Sequence, residues 1–121
     1  YGDGAKLRDY IFIDDVVSAF LTAGTWASKL SGNYYLIGSG QGFRIFDAFN
    51  LVADRVKLKL GFRPEVEHVP PPEFLSPIED RNFVVDSELF RSATGWVPRV
   101  SLADGIERTI EYVLAQREVF P

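Results

Sequence analysis

Apolar residues recur every three or four positions in three stretches of the chain, as they do along one face of a helix. These stripes are Val16, Ala19, Phe20 and Ala23, then Ile45, Phe49, Val52 and Val56, and finally Leu102, Ile106, Ile110 and Val113. They predict a helix from about Asp15 to Ala27, a second from about Ile45 to Leu60, and a last helix that starts near Leu102. Gly61 directly follows the second stripe, where a helix commonly stops.

Short runs rich in β-branched and aromatic residues predict strands between these helices. The runs are Arg8–Ile13, Tyr34–Gly38, Pro64–Val69 and Asn82–Val85. Tyr34–Gly38 shows little alternation, so we expect it to be buried on both faces. Pro70–Pro77 is too rich in proline for a helix interior or a central strand, and we expect an extended surface loop. The interleaved strands and helices predict an α/β fold.

Two shorter helix signals lie near the end of the chain. Asp86 is placed to cap a short helix that ends at Gly95. Ser101 and Asp104 resemble a weak capping box at the start of the last helix. The C-terminal half is therefore also expected to contain a strand followed by helices.

Composition narrows the class of protein. The 121 residues correspond to one domain, and an aromatic content of 14% argues against disorder. Seventeen acidic residues against thirteen basic ones, without a Lys/Arg run, argue against nucleic-acid binding. The chain has no Cys and only His68, so we expect no metal site. No apolar run approaches the roughly 18 residues that span a membrane, and the cytoplasm is the expected compartment.

The segment Gly38–Gly42, "GSGQG", follows a predicted strand and precedes a predicted helix. This context suggests a dinucleotide-binding loop. However, the third glycine of that fingerprint falls on Phe43, whose ring would obstruct helix–strand packing. The acidic residue expected about 20 positions later would fall at a helix end instead of a second strand. We favour a plain strand-to-helix turn and keep the cofactor loop as the alternative.

No catalytic dyad or triad is apparent. A Tyr-x-x-x-Lys pair would indicate hydride-transfer chemistry, because the Lys lowers the pKa of the phenol. None of the five Tyr residues has a Lys four positions later. His68 lies in an alternating stretch, where a surface His is expected. We therefore predict no catalytic residue on this chain.

Arg8 and Arg81 each begin a predicted strand directly after a loop. Binding residues concentrate at such junctions, and guanidinium groups suit phosphate. The alternative is that each Arg pairs on the surface with a neighbouring acid, Asp9 or Asp80. Residue chemistry alone favours these ion pairs.

Four segments together resemble the C-terminal part of extended short-chain dehydrogenases/reductases, the nucleotide-sugar epimerases and dehydratases. They are "GDGAKLRDYIFIDDVVSAF", "GNYYLIGSGQGFRIFDAFNLVA", "FVVDSELFRSATGWVP" and "VSLADGIERTIEYV", in the family's order over nearly the whole chain. The resemblance implies a substrate-binding lobe with edge elements of a Rossmann sheet. It also implies that residues 1–121 are a single fragment, and that the Rossmann core with the NAD(P) loop and the Tyr-x-x-x-Lys pair lies upstream.

The resemblance also implies substrate-binding residues. The Arg of the family's "RDY" segment contacts the diphosphate of the nucleotide sugar and matches Arg8, while the aromatic residue that can contact the nucleotide matches Tyr10. A second diphosphate-binding Arg and its Asp fall on Ser76 and Glu79, so the chain departs from the pattern there. Arg81 could supply the charge instead.

We therefore expect the substrate-binding portion of an NAD(P)-dependent nucleotide-sugar epimerase or dehydratase, inactive alone. NAD or NADP would act in the full-length enzyme, and we expect neither on this chain. The alternative is a self-sufficient α/β binding or assembly module without catalysis. Without the Rossmann core, the strand at Tyr34–Gly38 and the first two helices would lack partners, so we also expect a homo-oligomer.

Overall fold

The computed structural model describes residues 2–74 and 76–117, so Leu75 of the predicted proline-rich loop lies outside the described residues. The described residues form five helices and one small two-stranded sheet, and a 3₁₀ turn at Pro77–Asp80 precedes the fourth helix. The elements are β1 (Leu7–Asp9), α1 (Ile13–Thr25), α2 (Ala27–Leu30), β2 (Gly42–Arg44), α3 (Ile45–Leu60), α4 (Glu88–Thr94) and α5 (Leu102–Arg117).

The helix predictions are largely confirmed. Helix α3 has the predicted bounds and ends at Gly61, whose φ of 79° is left-handed. Helix α4 ends in the same way at Gly95, with φ of 78°. Helix α1 begins and ends two residues earlier than predicted, and α2 follows it. At the start of α5, the Ser101 hydroxyl accepts a hydrogen bond from the Asp104 amide at 3.1 Å, as expected for the capping box.

The strand predictions are mostly wrong within the described residues. The first strand covers only Leu7–Asp9 and pairs antiparallel with β2, with Arg8 opposite Phe43. Neither Tyr34–Gly38 nor Pro64–Val69 forms a strand there. The expectation that Tyr34–Gly38 is buried on both faces is also wrong.

Residues 34–37 instead alternate between the core and the surface. Tyr35 and Ile37 pack against the core, whereas Tyr34 and Leu36 are 86% and 57% exposed. An extended segment becomes a strand only when a neighbouring backbone completes its hydrogen bonds. The described part of the chain offers residues 34–37 no such neighbour.

The predicted strand at Asn82–Val85 is replaced by an irregular segment beside β1. The Phe83 amide donates to the Leu7 carbonyl at 3.0 Å, which is a backbone bond of the expected type. On either side of it, the Leu7 amide donates to the Asn82 side chain at 2.9 Å and the Val85 amide donates to the Asp9 carboxylate at 3.1 Å. Side chains thus replace the regular ladder, and residues 82–85 do not form a strand.

The core lies where α1, α2 and α4 meet. Ala19, Leu30, Phe90 and Trp96 are its buried members. The Phe90 ring packs edge-on against Trp96, with 5.7 Å between ring centroids, and the indole N–H of Trp96 donates to Ser18 Oγ at 2.9 Å.

A buried carboxylate attaches the segment before α5 to α1. Asp15 is 4% exposed and accepts hydrogen bonds from the backbone amides of Arg99 and Val100, at 3.0 and 2.9 Å. These bonds compensate for the cost of burying the carboxylate. Nowhere in the described ranges is a helix both long enough and apolar enough to cross a membrane.

Candidate functional site

The side chain of Arg8 connects β1 to the turn at residues 79–81. Nη1 donates to the carbonyl oxygens of Leu7 and Arg81, at 2.9 and 2.6 Å. Nη2 donates to the Glu79 carbonyl at 2.8 Å and lies 3.5 Å from the Glu79 carboxylate. The structure therefore brings together three predicted site residues, Arg8, Glu79 and Arg81.

Neither of the surface ion pairs that the sequence favoured is present in the structure. Arg8 pairs with Glu79 instead of Asp9. Asp80 pairs with Lys6, at 3.0 Å, instead of Arg81. For Arg8, sequence proximity misled because adjacent residues of strand β1 point to opposite faces of the sheet.

The two remaining predicted residues have different surroundings. Ser76 caps the 3₁₀ turn, because its hydroxyl accepts a hydrogen bond from the Ile78 amide at 3.4 Å. It thus supports the turn that Arg8 binds. Tyr10 lines a separate cleft of about 190 Å³, together with Ser39, Phe43 and Arg99.

Asp9, which the sequence analysis missed, organises the "GSGQG" segment. Its carboxylate accepts hydrogen bonds from the Ser39 amide and hydroxyl, at 2.9 and 2.5 Å, and from the Gly40 amide at 3.0 Å. The same carboxylate accepts the bond from Val85. The sequence did contain a signal for this role. Asp9 follows Arg8 in a strand, so its carboxylate faces the side of β1 opposite to Arg8.

Gly38 is required for packing at the same place. A Cβ on Gly38 would overlap the Val85 side chain and would lie 2.8 Å from Asp9 Oδ2. A dinucleotide loop would present the N–H groups of Ser39 and Gly40 to a pyrophosphate. Here both N–H groups donate hydrogen bonds to the Asp9 carboxylate. This geometry favours a structural role for residues 38–42 over a dinucleotide-binding loop.

The single His is also engaged within the chain. His68 Nδ1 lies 2.8 Å from the Gly2 carbonyl, and its ring stacks on Phe46 with 4.5 Å between centroids. Across residues 2–74 and 76–117, no group of three His, Asp or Glu side chains is arranged to hold a metal ion.

Known proteins resemble this chain in sequence and in fold. No family model matches the chain. Over 112 residues it is 36% identical to UDP-glucose 4-epimerase of Mycolicibacterium smegmatis, covering 93% of this chain and 33% of that protein. It is 27% identical over 119 residues to dTDP-glucose 4,6-dehydratase 1 of Escherichia coli, covering 95% of this chain and 31% of that protein.

A solved structure extends the match to the fold. UDP-glucose 4-epimerase of Thermotoga maritima, determined with UDP-glucose, superposes with a TM-score of 0.75 at 30% identity, covering 96% of this chain and 34% of that one. The chain matches the C-terminal part of enzymes of the extended short-chain dehydrogenase/reductase family. Another solved structure, the enzyme WbmF of Bordetella bronchiseptica with NAD⁺ and UDP, matches with a TM-score of 0.69 at 28% identity, covering 98% of this chain and 32% of that one.

These matches confirm the family resemblance and the fold class expected from the sequence. The chain spans about a third of the length of the curated relatives it matches, and it corresponds to their C-terminal part. Its helices and small sheet are the C-terminal lobe of the extended short-chain dehydrogenase/reductase fold.

Proposed function

We propose that this chain is the substrate-binding portion of an NAD(P)-dependent nucleotide-sugar epimerase or dehydratase. In this proposal it holds the nucleotide diphosphate of the sugar, acts in the cytoplasm and is inactive alone. The observation that carries the proposal is the alignment of 93% of the chain with one third of a UDP-glucose 4-epimerase at 36% identity.

The cofactor would be bound by another part of the enzyme. This expectation is supported by the similar enzyme WbmF, whose structure was determined with NAD⁺ and UDP. On this chain, the amides of residues 39 and 40 are committed to Asp9, and no Tyr-x-x-x-Lys pair exists. The nicotinamide would supply hydride exchange with the sugar, and this lobe would contribute no group to that step.

The turn at residues 79–81, held against β1, is the proposed diphosphate site. Arg8 and Arg81 both lie there. Of the neighbouring acids, Glu79 lies 3.5 Å from Arg8 and Asp80 lies 3.0 Å from Lys6. The nucleotide does not itself react, so energy from binding it can orient the sugar and raise the rate of the chemical step. Tyr10, in the adjacent part of the chain, is the proposed nucleotide contact.

A chimeric enzyme tests the proposal. The aligned part of the M. smegmatis epimerase would be replaced by this chain, and binding of NAD, UDP-glucose and dTDP-glucose would be measured by titration calorimetry. We expect the chimera to bind NAD and at least one of the two nucleotide sugars, and the isolated chain to bind no NAD and to show no turnover.

The host enzyme without its C-terminal part is the control, and it should bind NAD but no nucleotide sugar. A folded chimera that binds NAD but neither nucleotide sugar would contradict the proposal. Micromolar binding of NAD to the isolated chain would restore the cofactor-loop interpretation of residues 38–42.

A further inference from the structure

A polar cleft of about 670 Å³ lies between α1, α5 and the segment that joins α4 to α5. The walls of this α1–α5 cleft include Trp26, Trp96, Arg99 and Arg108. None of the residues proposed to bind the nucleotide sugar lines it. Its volume falls within the range of clefts that hold small molecules, so a second ligand would have room there.

The hydroxyl groups in the cleft are engaged within the chain. Ser18 donates to the Asp15 carbonyl at 2.8 Å, and Thr22 donates to the Ser18 carbonyl at 2.8 Å. Thr94 donates to the Phe90 carbonyl at 2.7 Å. These hydroxyl protons are therefore not available to a ligand, and a negatively charged ligand would be bound by the guanidinium groups.

Arg99 presents its guanidinium on a fixed backbone. The amides of Arg99 and Val100 donate to the buried Asp15 carboxylate, at 3.0 and 2.9 Å. The Arg99 side chain is exposed, and in the described part of the chain its guanidinium has neither an ion-pair partner nor a hydrogen-bond acceptor. Arg99 also borders the smaller cleft that Tyr10 lines.

Arg108 approaches the α1–α5 cleft from α5 and does not border the Tyr10 cleft. Its Nη1 lies 3.6 Å from Asp14 Oδ2, which is longer than a hydrogen bond. Its guanidinium lies over the Phe12 ring, 5.6 Å from the centroid, and this stacking leaves the N–H edge open. An exposed ion pair of this length contributes little stability, so an anion could take the N–H groups of Arg108 at small cost.

We infer that the α1–α5 cleft binds a phosphate group through Arg99 and Arg108, either as inorganic phosphate or as the monoester of a small molecule. A phosphate monoester carries a charge of about −1.5 to −2 at pH 7, and a guanidinium can bind two of its oxygens at once. A carboxylate carries a single charge and gains less from two cations. Trp26, which is 40% exposed, offers an apolar wall to the organic part of a monoester.

NMR titration of the full chain tests this site, because both tryptophans of the chain, Trp26 and Trp96, line the cleft. The isotope-labelled protein would be titrated with inorganic phosphate, phenyl phosphate and benzoate, and chloride would serve as the control for ionic strength. We expect both phosphates to shift the indole N–H resonances and the Nε–Hε resonance of Arg108. Benzoate should bind about tenfold more weakly than phenyl phosphate, the loss expected for one charged hydrogen bond.

Substitutions of the two arginines test which groups bind the anion. Arg99→Gln and Arg108→Gln should each weaken phosphate binding about tenfold. Arg108→Lys should retain part of the binding, because an ammonium keeps the charge but lacks the planar fork. Arg91→Gln is the matched control and should bind phosphate as the unchanged chain does. Arg91 is also exposed and lies 3.8 Å from an acid, Glu88, but it does not line the cleft.

Several results would overturn the inference. These are the absence of indole shifts with both phosphates, shifts that chloride reproduces at the same ionic strength, and benzoate binding as tight as that of phenyl phosphate. Unchanged phosphate binding in Arg99→Gln and Arg108→Gln would overturn it as well. If the site binds phosphate, tighter binding of phenyl phosphate identifies a monoester as the ligand, and equal binding identifies the free anion. The proposed function does not depend on any of these outcomes, since Arg8 and Arg81 lie outside this cleft.

Discussion

Arg8 and Asp9 are adjacent on β1, yet their side chains bind different segments of the chain. Arg8 holds residues 79–81, whereas Asp9 holds residues 39–40 and Val85. The pleat of a strand places neighbouring side chains on opposite faces. The positive charge of Arg8 therefore lies on one face of β1, and the negative charge of Asp9 lies on the other. A strand of three residues thereby connects segments near residue 40 and near residue 80 of the sequence.

Replacing the Asp9 carboxylate tests this arrangement. In Asp9→Asn, the amide nitrogen would face backbone N–H groups that need an acceptor. We expect a loss of about 1.5–3 kcal/mol in the free energy of unfolding, the range for hydrogen bonds to a charged group. Chemical denaturation measures the loss. The control is Glu65→Gln, the same change of carboxylate to amide at an exposed position, and it should change stability little.

Gly38 gives a second prediction at the scale of one residue. Gly38→Ala should destabilise the chain by about 1–3 kcal/mol, because the added methyl overlaps Val85 and crowds Asp9. Gly24→Ala is the matched control: a Cβ there meets nothing within 4 Å, so this change inside α1 should stabilise by about 0.5–1 kcal/mol. Equal denaturation midpoints for the two variants would show that residues 38–42 are not closely packed.

At the scale of elements, Lys59 joins α3 to α5. Its ammonium lies 2.6 Å from Glu111 and 3.0 Å from Glu107. The hydrogen bond to Glu111, and then that to Glu107, raise the pKa of Lys59 above its ordinary value of 10.5. A raised pKa in the folded state means that the contribution to stability is complete below 10.5 and is lost as the pH rises through the folded value.

The predicted signature is a stability difference that depends on alkaline pH. The Tm of the unchanged chain should exceed that of Lys59→Gln by a constant amount up to pH 10.5, and the difference should shrink above it. Circular dichroism over a pH series measures both proteins. Lys57→Gln, which changes another lysine in the last turn of α3, should show no such pH-dependent difference. A Lys59→Gln difference that stayed constant at high pH would contradict the assignment.

The helices could be predicted from the sequence because their signals are local. The apolar spacing of α3 and the glycine after it lie within 17 consecutive residues, Ile45 to Gly61. The strands could not, since a strand depends on a neighbour that local sequence does not reveal. Residues 82–85 contain a strand-like run, yet the bonds from the Leu7 amide to the Asn82 side chain and from the Val85 amide to the Asp9 carboxylate replace the ladder. The partner of Arg8 was hidden for the same reason, because Glu79 lies 71 positions away.

At the scale of the whole molecule, exposed apolar side chains gather on α1 and on the segment at residues 34–37. On α1, Ile13, Val17, Phe20 and Leu21 form an exposed stripe, with Phe20 at 73% and Leu21 at 70%. Phe20 also lines a groove of about 360 Å³ between α1 and the extended segment that contains Tyr35 and Ile37. The exposed side chains of Tyr34 and Leu36 belong to that same segment. An apolar helix face therefore lies beside an unpaired extended segment.

We predict that the chain self-associates through this region, because a symmetric dimer would cover both features with one self-complementary surface. The double variant Tyr34→Lys with Leu36→Lys should weaken association by placing charges on the open edge. Leu58→Lys, at another exposed apolar position, on α3, is the control and should leave association unchanged. Sedimentation velocity over a micromolar concentration series measures the mass. A single 13.6 kDa species throughout the series would show that the chain leaves this surface open to water and that the prediction is wrong.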